Sequence, residues 1–278
     1  AEKMLASQKQ VKNPSSLGSK SIPSDLENSL LALEIAASLL KKDRMDARQL
    51  GMESLCLLTD PTRAGIHTAL IASRAVLTGS AQDESCDDEF IPEELGIREA
   101  ILSLVQFGRL EEDAEYMDEM ESDDEESANR HPEEQEHNNL LHNLALAVLA
   151  NSLNVMENHG TKMAVASGGG SSAASVADTF LSGSKEISSR DLLATLLNSL
   201  GSAGQRPHDA LLSARCLGSL CEASKDARRR AKEMNAKNVV ATALDVGRRT
   251  HLKLQTASEK VLTTLEKVDN EQEGVLPT

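Results

Sequence analysis

HDALLSARCLGSLCEASKDARRRAKEMNAKNVVATALDVGRRTHLKLQTASEKVLTTLEKV, residues 208–268, decides the fold. The stretch divides into helices over about 208–223, 225–233, 236–248 and 251–268, with Ala214, Leu217 and Leu220 marking the packed stripe of the first. Leu and Ala lose little conformational freedom in a helix, whereas strands favour β-branched and aromatic side chains. No strand-like alternation interrupts the pattern, so the stretch reads as helix packed on helix.

Working outward, the ending of the first of these helices recurs. Leu217–Leu220 reads LGSL, and related four-residue endings stand at Met52–Leu55, Ile101–Leu104, Ala150–Leu153 and Leu262–Leu265, the last with Thr for Ser. The closing leucines lie 49, 49, 67 and 45 residues apart. Self-similarity at a fixed period is the mark of stacked helical units. A further match, Leu197–Leu200, is out of phase. Small residues at Ser54, Ser152 and Ser219 would let neighbouring helices approach closely.

The rest of the chain reads as follows. Residues 1–23 form a polar, flexible lead. A helix starts at Ser24-Asp25, and Leu26, Leu30, Leu33, Ala37 and Leu40 mark its stripe. Leu31, Ile35 and Leu39 broaden that stripe, which predicts a helix covered on more than one side. A second helix covers about 43–58 and stops at Asp60-Pro61, since Pro disfavours helical geometry before it. A third covers 62–78 and ends at Gly79. Acidic insertions at about 80–95 and 111–136 flank a short apolar helix containing Ile97, Ile101, Leu102, Leu104 and Val105. The acidic run holds too little apolar surface to offset about 1–2 kcal/mol per residue of backbone ordering, so disorder is expected there. A strong helix runs from Asn138 to Met156, and a Gly/Ser-rich insertion, 160–187, reads as a flexible loop. Another helix is expected at about 189–200. The helical repeat domain thus spans 24–268, and 269–278 is a frayed tail.

Composition agrees with an all-α chain. Of 278 residues three are Phe, one is Tyr and none is Trp. The formal net charge is -15, which excludes the whole molecule as a specific nucleic-acid binder. The charge is uneven. Residues 80–136 carry 22 acidic and 3 basic side chains, whereas residues 201–270 carry 13 basic and 8 acidic. Cys56, Cys86, Cys216 and Cys221 show no disulfide spacing, which suits a reducing, intracellular setting, cytoplasmic or nuclear. No run approaches the roughly 18 apolar residues that span a bilayer. The chain lacks an initiator Met, which suggests a piece of something longer.

The repeated endings and residues 208–268 resemble armadillo-type repeats, with 25–78 as a looser match. The resemblance implies an open, right-handed α-solenoid of armadillo/HEAT-like repeats. In such a repeat Arg228–Asn235 would be the short first helix, Val239–Leu244 the second and Leu254–Val268 the third. Asn235-Ala236 stands where these repeats usually carry Gly between the first two helices. Without Trp, the family's peptide-binding Trp/Asn ladder does not carry over.

Chemistry is sparse. His131, His137 and His142 lie near Glu133, Glu134 and Glu136, and Glu134 and His137 are one helical turn apart, yet no HExxH is present; the segment reads as a solvated acidic face. Cys216 and Cys221 sit about 140° apart on a helix, poorly arranged to share a zinc ion. Ser182–Lys185 matches SxxK inside a Ser-rich loop without a rigid elbow. Gly168–Gly170 lacks the GxxxxGK[ST] context of a phosphate cradle. No catalytic, cofactor or metal site is assigned, and the chain is read as a non-enzyme.

Two charged features remain. Lys225, Arg228, Arg229, Arg230 and Lys232, with Lys237, Arg248, Arg249 and Lys253, make a basic band. It reads as a surface for an acidic peptide, phosphates or a membrane surface, or as a dock for the chain's own acidic insert, or else as a solvated helix face with Asp226 and Glu233 as partial neutralisers. Ser85 and Ser122 each have an acidic residue three positions later, Asp88 and Glu125, the pattern of acid-directed phosphorylation. The expected function is a scaffold or adaptor binding protein partners. The alternative is a regulatory segment of a larger enzyme or transport assembly.

Overall fold

The computed structural model describes residues 24–79, 96–107, 132–160, 180 and 192–266. The described residues form helices joined by short turns, with no strand among them. The helices are α1 (Ser24–Leu40), α2 (Met45–Leu58), α3 (Pro61–Ala64), α4 (Ile66–Thr78), α5 (Ile97–Phe107), α6 (Pro132–Val155), α7 (Leu192–Gly201), α8 (Pro207–Ala223), α9 (Lys225–Glu233), α10 (Ala236–Thr250) and α11 (Leu252–Glu266). A π-helical turn, Met156–Gly160, prolongs α6.

Local chemistry sets several boundaries. Asp60 accepts a hydrogen bond from the Thr62 amide at 2.9 Å and so caps α3, with Pro61 at its first turn. Ser224 caps α9 by accepting from the Ala227 amide at 3.1 Å. Between α9 and α10, Asn235 takes the left-handed conformation, φ 59°. Asn is the commonest side chain to adopt that conformation after Gly. His251 Nδ1 accepts from the Leu254 amide at 3.2 Å and opens α11.

The helices pack in two rows. One row runs α2, α6, α8, α11; the other runs α1, α4, α5, α7, α10. Pairs across the rows, α1 on α2, α4 and α5 on α6, α7 on α8 and α10 on α11, enclose one core that extends from Leu33 to Leu265. The recurrent endings fall in α2, α5, α6, α8 and α11, close to the C-terminal end in all but α5, where the motif is central. Their leucines (Leu55, Leu104, Leu153, Leu220, Leu265) are all buried, as are Ser103, Ser152, Ser219 and Thr264 beside them. Close approach is visible at Gly218, where an added methyl would lie 3.4 Å from Val261.

Five expectations are corrected. The helix expected over 62–78 is broken at Gly65 (φ 81°), a conformation that costs glycine little, giving α3 and α4. The acidic insertion expected to run to 136 ends earlier, because α6 begins at Pro132. Pro suits a first helical turn, where its missing N–H would have no partner anyway. At the other end of α6 the helix continues past Met156 as the π-turn. Within the expected Gly/Ser-rich loop, Phe180 is helical and buried in the core, since an aromatic side chain gains more by burial than a loop gains by freedom. Lastly, the broadened stripe of α1 is covered in part: α2, α4 and α5 pack on the helix, but Leu31 and Ile35 are 55% and 53% exposed. The lead, the tail from 269, and the acidic stretches 80–95 and 111–131 lie outside the described residues.

Candidate partner-binding surface

The basic side chains singled out in the sequence separate into two patches. On α9, Ala227 and Ala231 face the core, so the cations fan out around the remaining circumference. Lys225 and Arg229 are exposed; Arg228, Arg230 and Lys232 are half-buried, their stems lying along neighbouring surface. Arg229 is neutralised locally, pairing with Asp226 at 2.5 Å and with Glu233 at 4.0 Å. The Arg228 Nε is buried without a hydrogen-bond partner, and its charge opposes the upward pull of burial on the Cys221 thiol.

The second patch is the α10–α11 corner. Arg248 and Arg249 end α10, where cations suit the partial negative charge of the helix terminus, and Lys253 opens α11. The corner is tight because Gly247 lies against the Gln255 backbone: a methyl there would come within 2.6 Å of the Gln255 nitrogen. Arg248 pairs with Asp245 at 3.5 Å. Arg249 and Lys253 are exposed, and between them stands Leu252, 75% exposed. Lys237, at the start of α10, pairs with Glu266 at 3.2 Å. It stands eleven residues from Arg248, about 16 Å along the helix. The band is therefore two surfaces joined by α10.

The histidine cluster does not gather among the described residues. His142 Nδ1 meets the Leu104 carbonyl at 2.9 Å and ties α6 to α5. His137 is half-buried one turn and a half away on the same helix. No group of three or more metal-ligating side chains occurs among the described residues. His131, Ser85, Ser122, Cys86 and the SxxK match lie outside them.

The other three cysteines are free. The Cys56 thiol donates to the Leu144 carbonyl at 3.6 Å, and the Cys216 thiol to the Leu146 carbonyl at 3.8 Å, so α2 and α8 grip α6 two residues apart. Burial pushes the Cys56 and Cys221 thiols up to about 12 and the Cys216 thiol still higher.

One polar cluster was nearly silent in the sequence. In the π-turn, Glu157 accepts from Ser219 of α8 at 2.8 Å and from Lys260 of α11 at 3.0 Å. Nearby, Thr264 donates to Glu222 at 3.0 Å. Their separations, up to 103 residues, hide the cluster from any local pattern. The one available hint was that Ser219 belongs to a recurrent ending.

No protein-family model and no curated protein sequence matches the chain. A crystal structure of an engineered protein is similar over 84% of this chain and 96% of that chain, at 13% identity and a TM-score of 0.29. That likeness is too slight to bear on fold or function. No helix among the described residues is long and apolar enough to cross a membrane.

Proposed function

We propose that the chain is a non-catalytic protein-interaction scaffold, an open right-handed α-solenoid of the armadillo/HEAT kind. Its ligands are acidic protein segments held at the α10–α11 corner, with α9 as a secondary contact. The observation that carries this reading is the packing in two rows around one unbroken core. A stack of this kind offers long outer surfaces for extended contact. Burial of the five recurrent leucines and of Ser103, Ser152, Ser219 and Thr264 supports treating the units as repeats, with Ser54 the half-buried exception.

At the corner, Arg249 and Lys253 have no ion pair within the described residues, and Leu252 adds an apolar contact between them. Cations flanking an exposed Leu suit a peptide in which carboxylates alternate with apolar side chains. The chain's own tract around Tyr116, Met117 and Met120 has that composition, so it is a self-ligand that competes with external partners. Phosphorylation at Ser85 or Ser122 would add about 1.5–2 negative charges per site and strengthen the internal contact.

The test is titration of a labelled peptide spanning 111–131 into the full chain at low salt. Reversing Arg248, Arg249 and Lys253 to Glu is expected to weaken binding at least about tenfold, and added salt to weaken it in the unaltered chain. Deleting 111–131 from the chain is expected to strengthen peptide binding. Equal affinity of the unaltered and charge-reversed chains overturns the proposal.

A further inference from the structure

We infer that the outer face of the α1–α2 pair is a docking site for a basic amphipathic helix of a partner protein. The inference rests on the interaction reading above but concerns the opposite end of the stack.

On α1, Leu31 and Ile35 are one turn apart and opposite the buried Leu33, Ala36 and Ala37. On α2, Leu50 and Leu57 are seven residues apart and opposite the buried Met52 and Leu55. The two helices are antiparallel, and Gly51 fixes their register: a methyl there would lie 3.0 Å from the Ala36 carbonyl and 3.2 Å from Leu39 Cβ. In that register Leu31 lies level with Leu57, and Ile35 falls between Leu57 and Leu50. The four side chains form one strip, each about half exposed: 55%, 53%, 53% and 47% for Leu31, Ile35, Leu50 and Leu57. Four half-exposed aliphatic side chains make a patch comparable with the largest one on a typical monomer, roughly 300–600 Å², which is often functional.

The far end of the stack differs. There the outward positions are Lys237, Thr242 and Asp245 on α10 and Thr256, Glu259 and Thr263 on α11, all exposed and polar, with the exposed Leu252 as the single large apolar side chain on the same stripe of α11. A polar outer face is what a terminal unit needs to end a helical array in water. Among the described residues the α1–α2 end carries the apolar strip instead.

Charge selects the occupant. Glu27 and Glu34 share a side of α1 with Lys41, which lies against Gly96 at the start of α5, so both carboxylates border the strip on the side away from α2. Glu53 stands one turn before Cys56, which donates to the α6 carbonyl of Leu144, so it borders the strip on the side away from α1. Among the described residues the nearest cations do not answer these carboxylates: the Lys41 side chain lies against Gly96, Arg44 pairs with Asp46 at 2.6 Å, and Lys42 stands beyond one end. A second copy laid face to face would oppose carboxylate to carboxylate, which disfavours it. A helix with apolar residues at i, i+3/i+4 and i+7 and Lys/Arg on both flanks fits the strip and its rims together.

Two synthetic helical peptides with the same Leu stripe, one flanked by Lys and the other by Glu, test this by fluorescence anisotropy against the full chain. The Lys peptide is expected to bind at least about tenfold tighter, and a Leu31→Ser/Ile35→Ser chain to lose about tenfold of that affinity while keeping its helical circular dichroism. The exposed positions make the double variant safe for folding. Equal affinity for both peptides overturns the inference. So does Lys-peptide binding unchanged by the double variant, which would assign it to the acidic tract instead. A sedimentation-detected dimer abolished by the double variant also overturns it, in favour of a second copy as occupant. Charge reversal at Arg248, Arg249 and Lys253 leaves the α1–α2 face untouched, so the two proposals fail separately.

Discussion

The Ser219 hydroxyl donates to Glu157 Oε2 at 2.8 Å, joining α8 to the π-turn across 62 residues of sequence. The same carboxylate receives Lys260 of α11, so one side chain fastens three elements. Glu157→Ala is expected to lower stability by about 1–2 kcal/mol, because it removes two bonds and leaves the buried Ser219 hydroxyl without its acceptor. Urea unfolding followed by circular dichroism measures this. Lys260→Ala, at the exposed arm, is expected to cost less than about 1 kcal/mol.

The α10–α11 corner depends on a missing side chain. Gly247→Ala is expected to cost about 1–3 kcal/mol, since the atoms it meets are backbone and cannot rotate away. Gly201 is the internal comparison. It has open space around it and no positive φ, so Gly201→Ala is expected to be neutral or to stabilise by up to about 1 kcal/mol. Thermal midpoints of the two variants should therefore move apart.

Asn235 tests backbone conformation alone. With φ at 59°, Asn235→Val is expected to destabilise by about 1–2 kcal/mol, whereas Asn235→Gly relieves the left-handed strain and should lie within a few tenths of the parent. Equal effects of the two substitutions, read by urea midpoints, would show that the turn relaxes.

The sequence exposed the helices well and their surroundings poorly. The boundaries of α8 and α9 follow from Pro207, Ser224 and the apolar spacing between them, all local signals. The burial of Ser152 and Ser219 was foreseeable because small residues recurred beside the same leucine. The exposure of Leu31 and Ile35 was not, since spacing records that a face is apolar and says nothing about what lies over it. The division of the basic band was hidden for a related reason: Lys237 and Arg248 belong to one cation-rich stretch of sequence, but the helix between them separates two surfaces. Gly65 was legible in principle, as a glycine four residues after a proline, but its positive φ is fixed by how α4 meets the core.

The cysteines give a pH-dependent prediction. Burial raises the Cys56 and Cys221 thiols to about 12, and Cys216 moves in the same direction. The unfolded chain loses these protons from about pH 8.5 upward while the folded chain keeps them. Stability is therefore intact below that pH and falls progressively as pH rises toward 12. At neutral pH the three thiols should alkylate far more slowly in the native chain than in urea, as peptide mass spectrometry can resolve residue by residue.

Helix α6 lies against α2, α4, α5 and α8, and Cys56 and Cys216 reach its carbonyls from either side. Neither half of the molecule can melt without stripping a wall from the other. Amide protons in the middle of α6 should accordingly exchange by global opening alone, and heating should yield a single transition instead of two.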